Sequence, residues 1–174
     1  GKAITIKAAS GVDVKFDMST GVALHGAKIT FEGVTFEYKT NNNYVGLQHT
    51  DTMVYNNCVF NGQMFLYGAS ETFNGCTFKQ TSPNAYNVWT YGAKEVDFND
   101  CIFECAGKSV LVYNEGTISG TDLTVTDTAF HASQPVEGKA AIEIDTSLMK
   151  GQTKISVDQA TADKINGFGV GSNS

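Results

Sequence analysis

The sequence has no arginine among its 174 residues, and only 17% of its residues are charged. Contacts to phosphate depend on lysine and arginine, and the formal net charge of −6 opposes binding to a polyanion. Bidentate recognition of carboxylates also needs arginine, which disfavours acidic polysaccharides as ligands. We therefore expect no nucleic-acid partner, and any glycan that the protein binds is expected to be neutral.

The sequence also lacks a transmembrane run, a signal peptide and a lipidation motif, so membrane insertion is not expected. The first residues, Ala3-Ile4-Thr5-Ile6, already alternate as a strand does. We therefore expect residues 1–174 to form a single β-helix domain that belongs to a longer protein. The missing signal then carries no information about the compartment.

One six-residue phrase recurs along the chain and organises it. Its third residue is glycine, asparagine or aspartate, the types that most readily adopt a left-handed backbone. The residues on either side alternate with a period of two, as strands require. Each phrase therefore predicts two short strands joined by a tight corner. The five copies cover residues 31–36, 55–60, 73–78, 98–103 and 125–130.

Copies that start 18 to 27 residues apart, with fixed strand columns and loops of variable length, are typical of a solenoid. Helical repeats would show a 3.6-residue period, and leucine-rich repeats would show their leucine and asparagine frame. We therefore predict an all-β fold, a single-stranded parallel β-helix of about six to seven coils. Phenylalanines should stack in its core one strand spacing apart, about 4.8 Å. The predicted stack is Phe36, Phe60, Phe78, Phe103 and Phe130.

Three of the four cysteines, Cys58, Cys76 and Cys101, occupy one inward column of the repeat. Their parallel side-chain directions suit a disulfide poorly, so we expect buried free thiols that pack like small hydrophobic groups. Other ligand types do not occur at matching spacing, so no metal site is predicted. Cys105 falls in a loop, and its state stays open.

A third series of strands lies between the phrases. Its two inward columns are apolar, with Val22 and Leu24 expected to align with Val45 and Leu47 of the next coil. The residues between and after these columns must then point outward. In three consecutive coils the outward residues are Phe65 and Tyr67, Trp89 and Tyr91, and Leu111 and Tyr113.

A contiguous exposed apolar patch of this kind marks an interaction surface. Sugar rings stack on aromatic rings, while tyrosine hydroxyls and a glutamine amide can bond sugar hydroxyls. The predicted carbohydrate-binding residues are Phe65, Tyr67, Trp89, Tyr91, Tyr113 and Gln48. Two alternatives stay open for this face. A register shift of one residue would turn the aromatic rings inward, or a loop or the C-terminal segment could cover them.

Glu71 departs from the pattern, because it falls in the inward column of Ile29, Met53, Val96 and Leu123. Either the chain bulges at Ala69-Ser70 and turns the carboxyl group out, which we expect, or Glu71 is a buried acid with a function.

No catalytic signature is recognised, and no catalytic residue or cofactor is predicted. Glu143 and Asp145 lie two apart on one strand, so both would point outward about 7 Å apart. That separation is compatible with paired-carboxylate chemistry, but two acids on a strand more often form a solvated face. The three histidines have no serine or cysteine partner at a recognisable spacing. The sequence therefore favours a protein that is not an enzyme, without deciding the question.

The phrases Asn56-Asn57-Cys58-Val59-Phe60, Asn74-Gly75-Cys76-Thr77-Phe78 and Asn99-Asp100-Cys101-Ile102-Phe103 resemble repeats of the pectin-lyase-like right-handed parallel β-helix superfamily. The resemblance covers roughly residues 21–145 and implies the fold more than the function. In the enzymes of that superfamily the substrate lies along the outward face of the third strand series. Their catalytic patterns, calcium-binding acids with a base or an aspartate cluster, cannot be matched here. Residues 138–145 also resemble segments of repeat-bearing surface proteins from gut bacteria.

These observations predict a non-catalytic carbohydrate-binding or adhesive module of an extracellular, cell-surface bacterial protein. Its partner would be a neutral glycan or another surface protein. One alternative is a structural stalk that self-associates or packs on a neighbouring domain through the aromatic rings. Another is a fragment of a polysaccharide lyase or glycoside hydrolase whose catalytic residues lie wholly or partly outside this piece.

Overall fold

The computed structural model describes residues 2–24, 28–41, 45–48, 51–113, 120–145 and 153–169. These residues form strands of two to five residues and one four-residue helix, α1 (Gln159–Ala162). Every pairing between strands is parallel, so the fold is all-β as predicted. None of the helical residues described forms a segment long and apolar enough to cross a membrane.

Two seven-stranded sheets contain the two halves of the repeated phrase. Sheet A consists of β1 (Ala3–Lys7), β4 (Lys28–Glu32), β7 (Thr52–Asn56), β10 (Ser70–Asn74), β13 (Glu95–Asn99), β16 (Asp122–Thr126) and β19 (Lys154–Val157). Sheet B consists of β2 (Lys15–Asp17), β5 (Thr35–Glu37), β8 (Val59–Asn61), β11 (Thr77–Lys79), β14 (Ile102–Cys105), β17 (Ala129–Ala132) and β20 (Ile165–Asn166).

The third strand series forms two smaller sheets. Sheet C consists of β9 (Met64–Phe65), β12 (Val88–Trp89), β15 (Val110–Val112) and β18 (Ile142–Ile144), and sheet D of β3 (Val22–Ala23) and β6 (Leu47–Gln48). The Phe65 N–H donates to the Val45 carbonyl at 3.0 Å, which brings sheet D beside sheet C. Neighbouring strands of each sheet lie three strands apart in the chain, an order consistent with a parallel β-solenoid.

The corners between sheets A and B adopt the predicted left-handed backbone. The third residue of each phrase has a positive φ, from 46° at Asp127 to 66° at Gly33. An amide ladder lies beside these corners, because Asn74 Nδ2 donates to Asn56 Oδ1 at 2.9 Å and Asn99 Nδ2 donates to Asn74 Oδ1 at 3.1 Å. The residue types at the corner therefore set where each phrase turns.

The predicted phenylalanine stack is confirmed and forms the spine of the core. Successive rings from Phe36 to Phe130 are stacked with centroids 4.3 to 5.0 Å apart, close to one strand spacing. A second ring column from sheet A lies against it, and Phe73 meets Phe78 edge to face at 5.3 Å. The core lies between the sheets, where the rings of sheets A and B interlock.

The cysteine prediction is also confirmed, since Cys58, Cys76 and Cys101 are free and buried. The expectation that Cys105 falls in a loop is wrong, because this residue ends strand β14; its thiol is also free and buried. The column thiols also form hydrogen bonds. Cys76 Sγ lies 3.3 Å from the Tyr55 carbonyl, and Cys101 Sγ lies 3.3 Å from the Asn99 carbonyl. Thr128 occupies the next position in the column, and its hydroxyl donates to the Thr126 carbonyl at 3.0 Å. Four of the five residues in the column thus have a small side chain with a donor, and Val34, first in the column, is the apolar exception.

Two further expectations from the sequence are wrong. The bulge at Ala69-Ser70 does not occur, because Glu71 pairs in register with Met53 and Val96 and is 1% exposed. Its carboxylate accepts a hydrogen bond from the Tyr55 hydroxyl at 3.3 Å, so a polar partner inside the core takes the place of the bulge.

The alignment of the first coil is wrong by two residues, because Val22 pairs with Leu47 and not with Val45. A shift of two keeps every side chain on the same side of the strand. The alternation of apolar and polar residues therefore cannot distinguish the two registers.

Candidate ligand-binding face

The outer side of sheet C carries the predicted aromatic residues. The register places Phe65 beside Trp89, Trp89 beside Leu111, and Leu111 beside Glu143. The alternating inward residues, such as Met64 and Leu66, belong to the main core. A register shift of one residue is therefore excluded. We call Phe65, Tyr67, Trp89, Tyr91 and Tyr113 the aromatic face.

The rings of the aromatic face pack against one another in one continuous cluster. Phe65 and Trp89 are stacked with centroids 5.0 Å apart and planes at 17°, and Tyr91 and Tyr113 are stacked at 5.8 Å and 18°. Tyr67 meets Tyr91 edge to face at 5.4 Å. These are favourable aromatic geometries, so the rings hold one another in fixed positions.

The face is less exposed than the sequence predicts. Phe65 is only 1% exposed and Leu111 is also buried, so the expectation that these two side chains face solvent is wrong. The physical reason is that Trp89 covers one side of the Phe65 ring, while Tyr67 and Tyr91 contact it from the neighbouring column. The other four members of the aromatic face are half-buried and keep part of their surface open.

Gln48, the sixth predicted binding residue, lies at the end of β6, where its backbone pairs with that of Ala23. Its side chain lies outside what the structure describes. Whether it reaches a ligand therefore stays a prediction.

Two residues that sequence reasoning missed fix the orientation of Trp89. The Gln63 Oε1 atom accepts hydrogen bonds from Trp89 Nε1 at 3.0 Å and from the Tyr86 backbone N–H at 2.9 Å. The Tyr86 ring meets Trp89 edge to face at 5.7 Å. Both residues precede their strands and lie in loops, where strand alternation makes no prediction about side-chain direction.

A charged cluster borders the aromatic face. Glu143 Oε1 accepts hydrogen bonds from Lys139 Nζ at 2.9 Å and from the Tyr86 hydroxyl at 3.1 Å. The bond to Glu143 raises the pKa of Lys139, and burial raises the pKa of Tyr86. The Glu143 carboxylate is thus bound by the Lys139 ammonium group and the Tyr86 hydroxyl, and the positive charge of Lys139 balances the negative charge of Glu143.

Gly46 allows the close approach of two strands at the edge of the face. An ideal Cβ at this position would lie 2.1 Å from the Phe65 carbonyl oxygen and 3.0 Å from Tyr67 Cε2. A larger residue would push β9 away, so the position of Phe65 depends on a glycine in the preceding coil.

Within the described ranges, no group of three or more histidine, cysteine, aspartate or glutamate side chains is placed to hold a metal ion. The chain matches no protein-family model, no curated protein and no solved structure. The features of this chain that bear on its function are therefore the aromatic face and the repeat pattern.

Proposed function

We propose that this chain is a non-catalytic carbohydrate-binding or adhesive module of an extracellular, cell-surface bacterial protein, and that a neutral glycan binds at the aromatic face. The observation that supports this is the set of half-buried rings with part of their surface open, Tyr67, Trp89, Tyr91 and Tyr113, on one side of one sheet. Their apolar surface suits the C–H faces of sugar rings, and the tyrosine hydroxyl groups suit sugar hydroxyls.

The proposal includes the finer architecture. The chain is a single-stranded parallel β-helix domain of about six to seven coils, of the pectin-lyase-like type. Each sheet is built from every third strand of the chain, which supports a helix in which one coil contributes one strand to each sheet. The strong preference for right-handed connections between parallel strands supports a right-handed helix. The outward side of sheet C is then the side on which the resemblance expects a polysaccharide to lie.

One feature of the face favours tight binding, and a second favours a neutral ligand. The rings are fixed by their own packing and by the Gln63 hydrogen bond to Trp89, so little conformational entropy is lost on binding. The bordering charge of Lys139 is balanced by Glu143. Phe65 supports the rings from below and does not itself contact the ligand.

Trp89 is the only tryptophan, so its fluorescence reports directly on this face. Neutral oligosaccharides that bind in a broad glycan array should change its emission on titration. Tyr91→Ala should weaken that binding about twofold to tenfold, because one stacking contact is worth about 0.5–1.5 kcal/mol. Ile102→Ala, on the exposed side of sheet B, is the matched control and should bind as the wild type does. Wild-type protein that binds no glycan in the array would refute the proposal.

The packing of the rings favours a second candidate, a structural face that packs on a neighbouring domain or a second copy. Buried Phe65 and Leu111 contribute to stability whether or not a ligand binds. In this case Tyr91→Ala would dissociate a dimer in sedimentation experiments, and glycan binding would be missing from the wild type.

A further inference from the structure

Three asparagines of the chain are followed directly by glycine, at Asn61-Gly62, Asn74-Gly75 and Asn166-Gly167. Glycine has no Cβ, so its backbone nitrogen approaches the preceding side chain more freely than that of any other residue. An asparagine before a glycine therefore loses its amide group to backbone attack most readily. Asn74-Gly75 differs from the other two pairs because it belongs to the repeated phrase, where Asn74 ends strand β10.

Asn74 is the middle member of the amide ladder. Its Nδ2 atom donates to Asn56 Oδ1 at 2.9 Å, and its Oδ1 atom accepts from Asn99 Nδ2 at 3.1 Å. The three asparagines pair in register at the ends of β7, β10 and β13, and each is half-buried. They therefore share one environment and differ in the residue that follows. In chain order, the following residues are Asn57, Gly75 and Asp100.

Solvent reaches this position from one side. A cleft of about 540 Å³ opens over the ladder, and its lining includes Asn56, Asn74, Gly75 and Asn99. Asn74 and Gly75 are both half-buried, so part of their surface stays open. Hydroxide and water, which deamidation consumes, therefore have access to the pair.

The fold holds both reacting groups in place. The Gly75 N–H donates to the Asn99 carbonyl at 2.9 Å, and the ladder fixes the Asn74 amide from both sides. Asn57 also covers the corner, because its Oδ1 atom lies 2.6 Å from the position of a Cβ on Gly75. These contacts must open before the Gly75 nitrogen can reach Asn74 Cγ.

We propose that Asn74 is a deamidation site that the amide ladder protects, so that its conversion follows the opening of this coil. The Gly75 nitrogen loses its proton to hydroxide and attacks Asn74 Cγ. A carbon–nitrogen bond forms, a succinimide ring closes, and ammonia leaves. Water then opens the ring at either carbonyl carbon and gives aspartate or isoaspartate. This chemistry takes place at the corner between sheets A and B and is independent of glycan binding at the aromatic face.

Both products damage the ladder. An ionised aspartate has no donor for Asn56 Oδ1, and it adds a negative charge beside a cleft that Glu32 and Asp100 also line. Isoaspartate adds a backbone carbon at the end of β10, where Asn74 pairs with Asn56 and Asn99. The extra carbon shifts the corner out of register with its two neighbours. The converted coil should therefore be less stable than the original one.

Peptide mass spectrometry after incubation at mildly alkaline pH measures the conversion of each asparagine, in the folded protein and in urea. In the unfolded chain we expect Asn74 to convert faster than Asn56 and Asn99, which are matched controls within the same molecule. In the folded protein the conversion of Asn74 should be slower by about tenfold or more, because three hydrogen bonds must open first.

Asn56→Ala tests the role of the ladder, because it removes the acceptor of the Asn74 amide. Asn56 is half-buried, so the fold should survive, which circular dichroism checks. Asn61 is the internal reference, since it also precedes a glycine but donates to Glu37 Oε1 at 3.0 Å, outside the ladder. The folded variant should convert Asn74 about twofold to tenfold faster than the wild type, the effect of one lost hydrogen bond, and Asn61 at the same rate.

Equal rates at Asn74, Asn56 and Asn99 in the unfolded chain would overturn the proposal, as would a folded protein that converts Asn74 as fast as the unfolded chain does. An unchanged rate at Asn74 in folded Asn56→Ala would exclude protection by the ladder. Should this variant fail to fold, Asn99→Ala removes the donor to Asn74 Oδ1 and should also accelerate conversion.

The effect on the coil is measured separately. Ion exchange isolates the protein converted at Asn74 by its added negative charge, and urea unfolding compares it with the unconverted protein. The converted protein should unfold at a lower urea concentration. Equal midpoints would refute the predicted damage to the ladder.

Discussion

The packing of the central ring column predicts how much Phe78→Ala lowers the free energy of unfolding. The Phe78 ring is buried and stacked between Phe60 at 4.8 Å and Phe103 at 4.3 Å, with Phe73 and Phe98 meeting it edge to face. Truncation of a buried phenylalanine costs about 3–5 kcal/mol. Since four ring contacts are lost at once, we expect about 4–5 kcal/mol of the free energy of unfolding to be lost.

The matched control is Phe16→Ala, the same substitution in the same column but in β2, the first strand of sheet B. Phe16 is half-buried and contacts only Phe31 and Phe36 among the rings described. Full burial of a phenylalanine side chain contributes about 1.5–3 kcal/mol, and partial burial contributes less. We therefore expect Phe16→Ala to lower the free energy of unfolding by about 1–2 kcal/mol. Urea unfolding followed by far-ultraviolet circular dichroism measures both variants. Equal losses would refute the argument that stacking on both sides sets the stability of each coil.

Four further predictions concern buried polar groups. The Tyr38 hydroxyl is buried and has no hydrogen-bond partner in the described chain, so Tyr38→Phe should leave the free energy of unfolding unchanged or raise it by about 1 kcal/mol. Tyr55→Phe removes the bond to Glu71 and should cost about 1–3 kcal/mol; equal effects of the two changes in urea unfolding would contradict this. Cys101→Thr keeps a donor, as Thr128 does, and should be at least 1 kcal/mol less destabilising than Cys101→Val, about the value of one hydrogen bond; the reverse order would exclude a role for the thiol donor. Burial raises the pKa of Cys105 to about 11 and raises that of Tyr55 well above its usual range. The folded state therefore holds these protons more tightly than the unfolded chain does. The free energy of unfolding should be at its full value below about pH 8.5 and should fall as the pH rises toward 11. A constant free energy of unfolding over that window would contradict the burial of these groups.

Local features of the sequence account for what could be predicted of the fold. The corner residues, such as Asn57 and Asp100, signal a left-handed backbone by their type alone, and the structure has positive φ at both. Alternation assigns each side chain to the inside or the outside, which is why the phenylalanine stack and the cysteine column could be predicted. Both signals need only neighbouring residues in the chain.

The errors arise where a partner lies in another coil. Glu71 is accommodated in the core by the Tyr55 hydroxyl, which comes from the preceding strand of sheet A, 16 residues earlier. Nothing next to Glu71 in the sequence indicates that partner, so its charge alone predicted a bulge. The register of Val22 was wrong for a related reason, because alternation repeats every two residues and cannot detect a shift of two.

The aromatic face shows the same limit with a consequence for function. Alternation correctly placed Phe65 and Trp89 on the outer side of sheet C, but a side chain on the outer side is exposed only if its neighbours leave it uncovered. Here Trp89 lies flat on Phe65, and Tyr86 and Gln63 from loops hold Trp89 in place. The open surface therefore shifts from the column of Phe65 toward the tyrosine column. A ligand should accordingly depend more on Tyr91 than on Phe65, and substitution of Phe65 should act through stability.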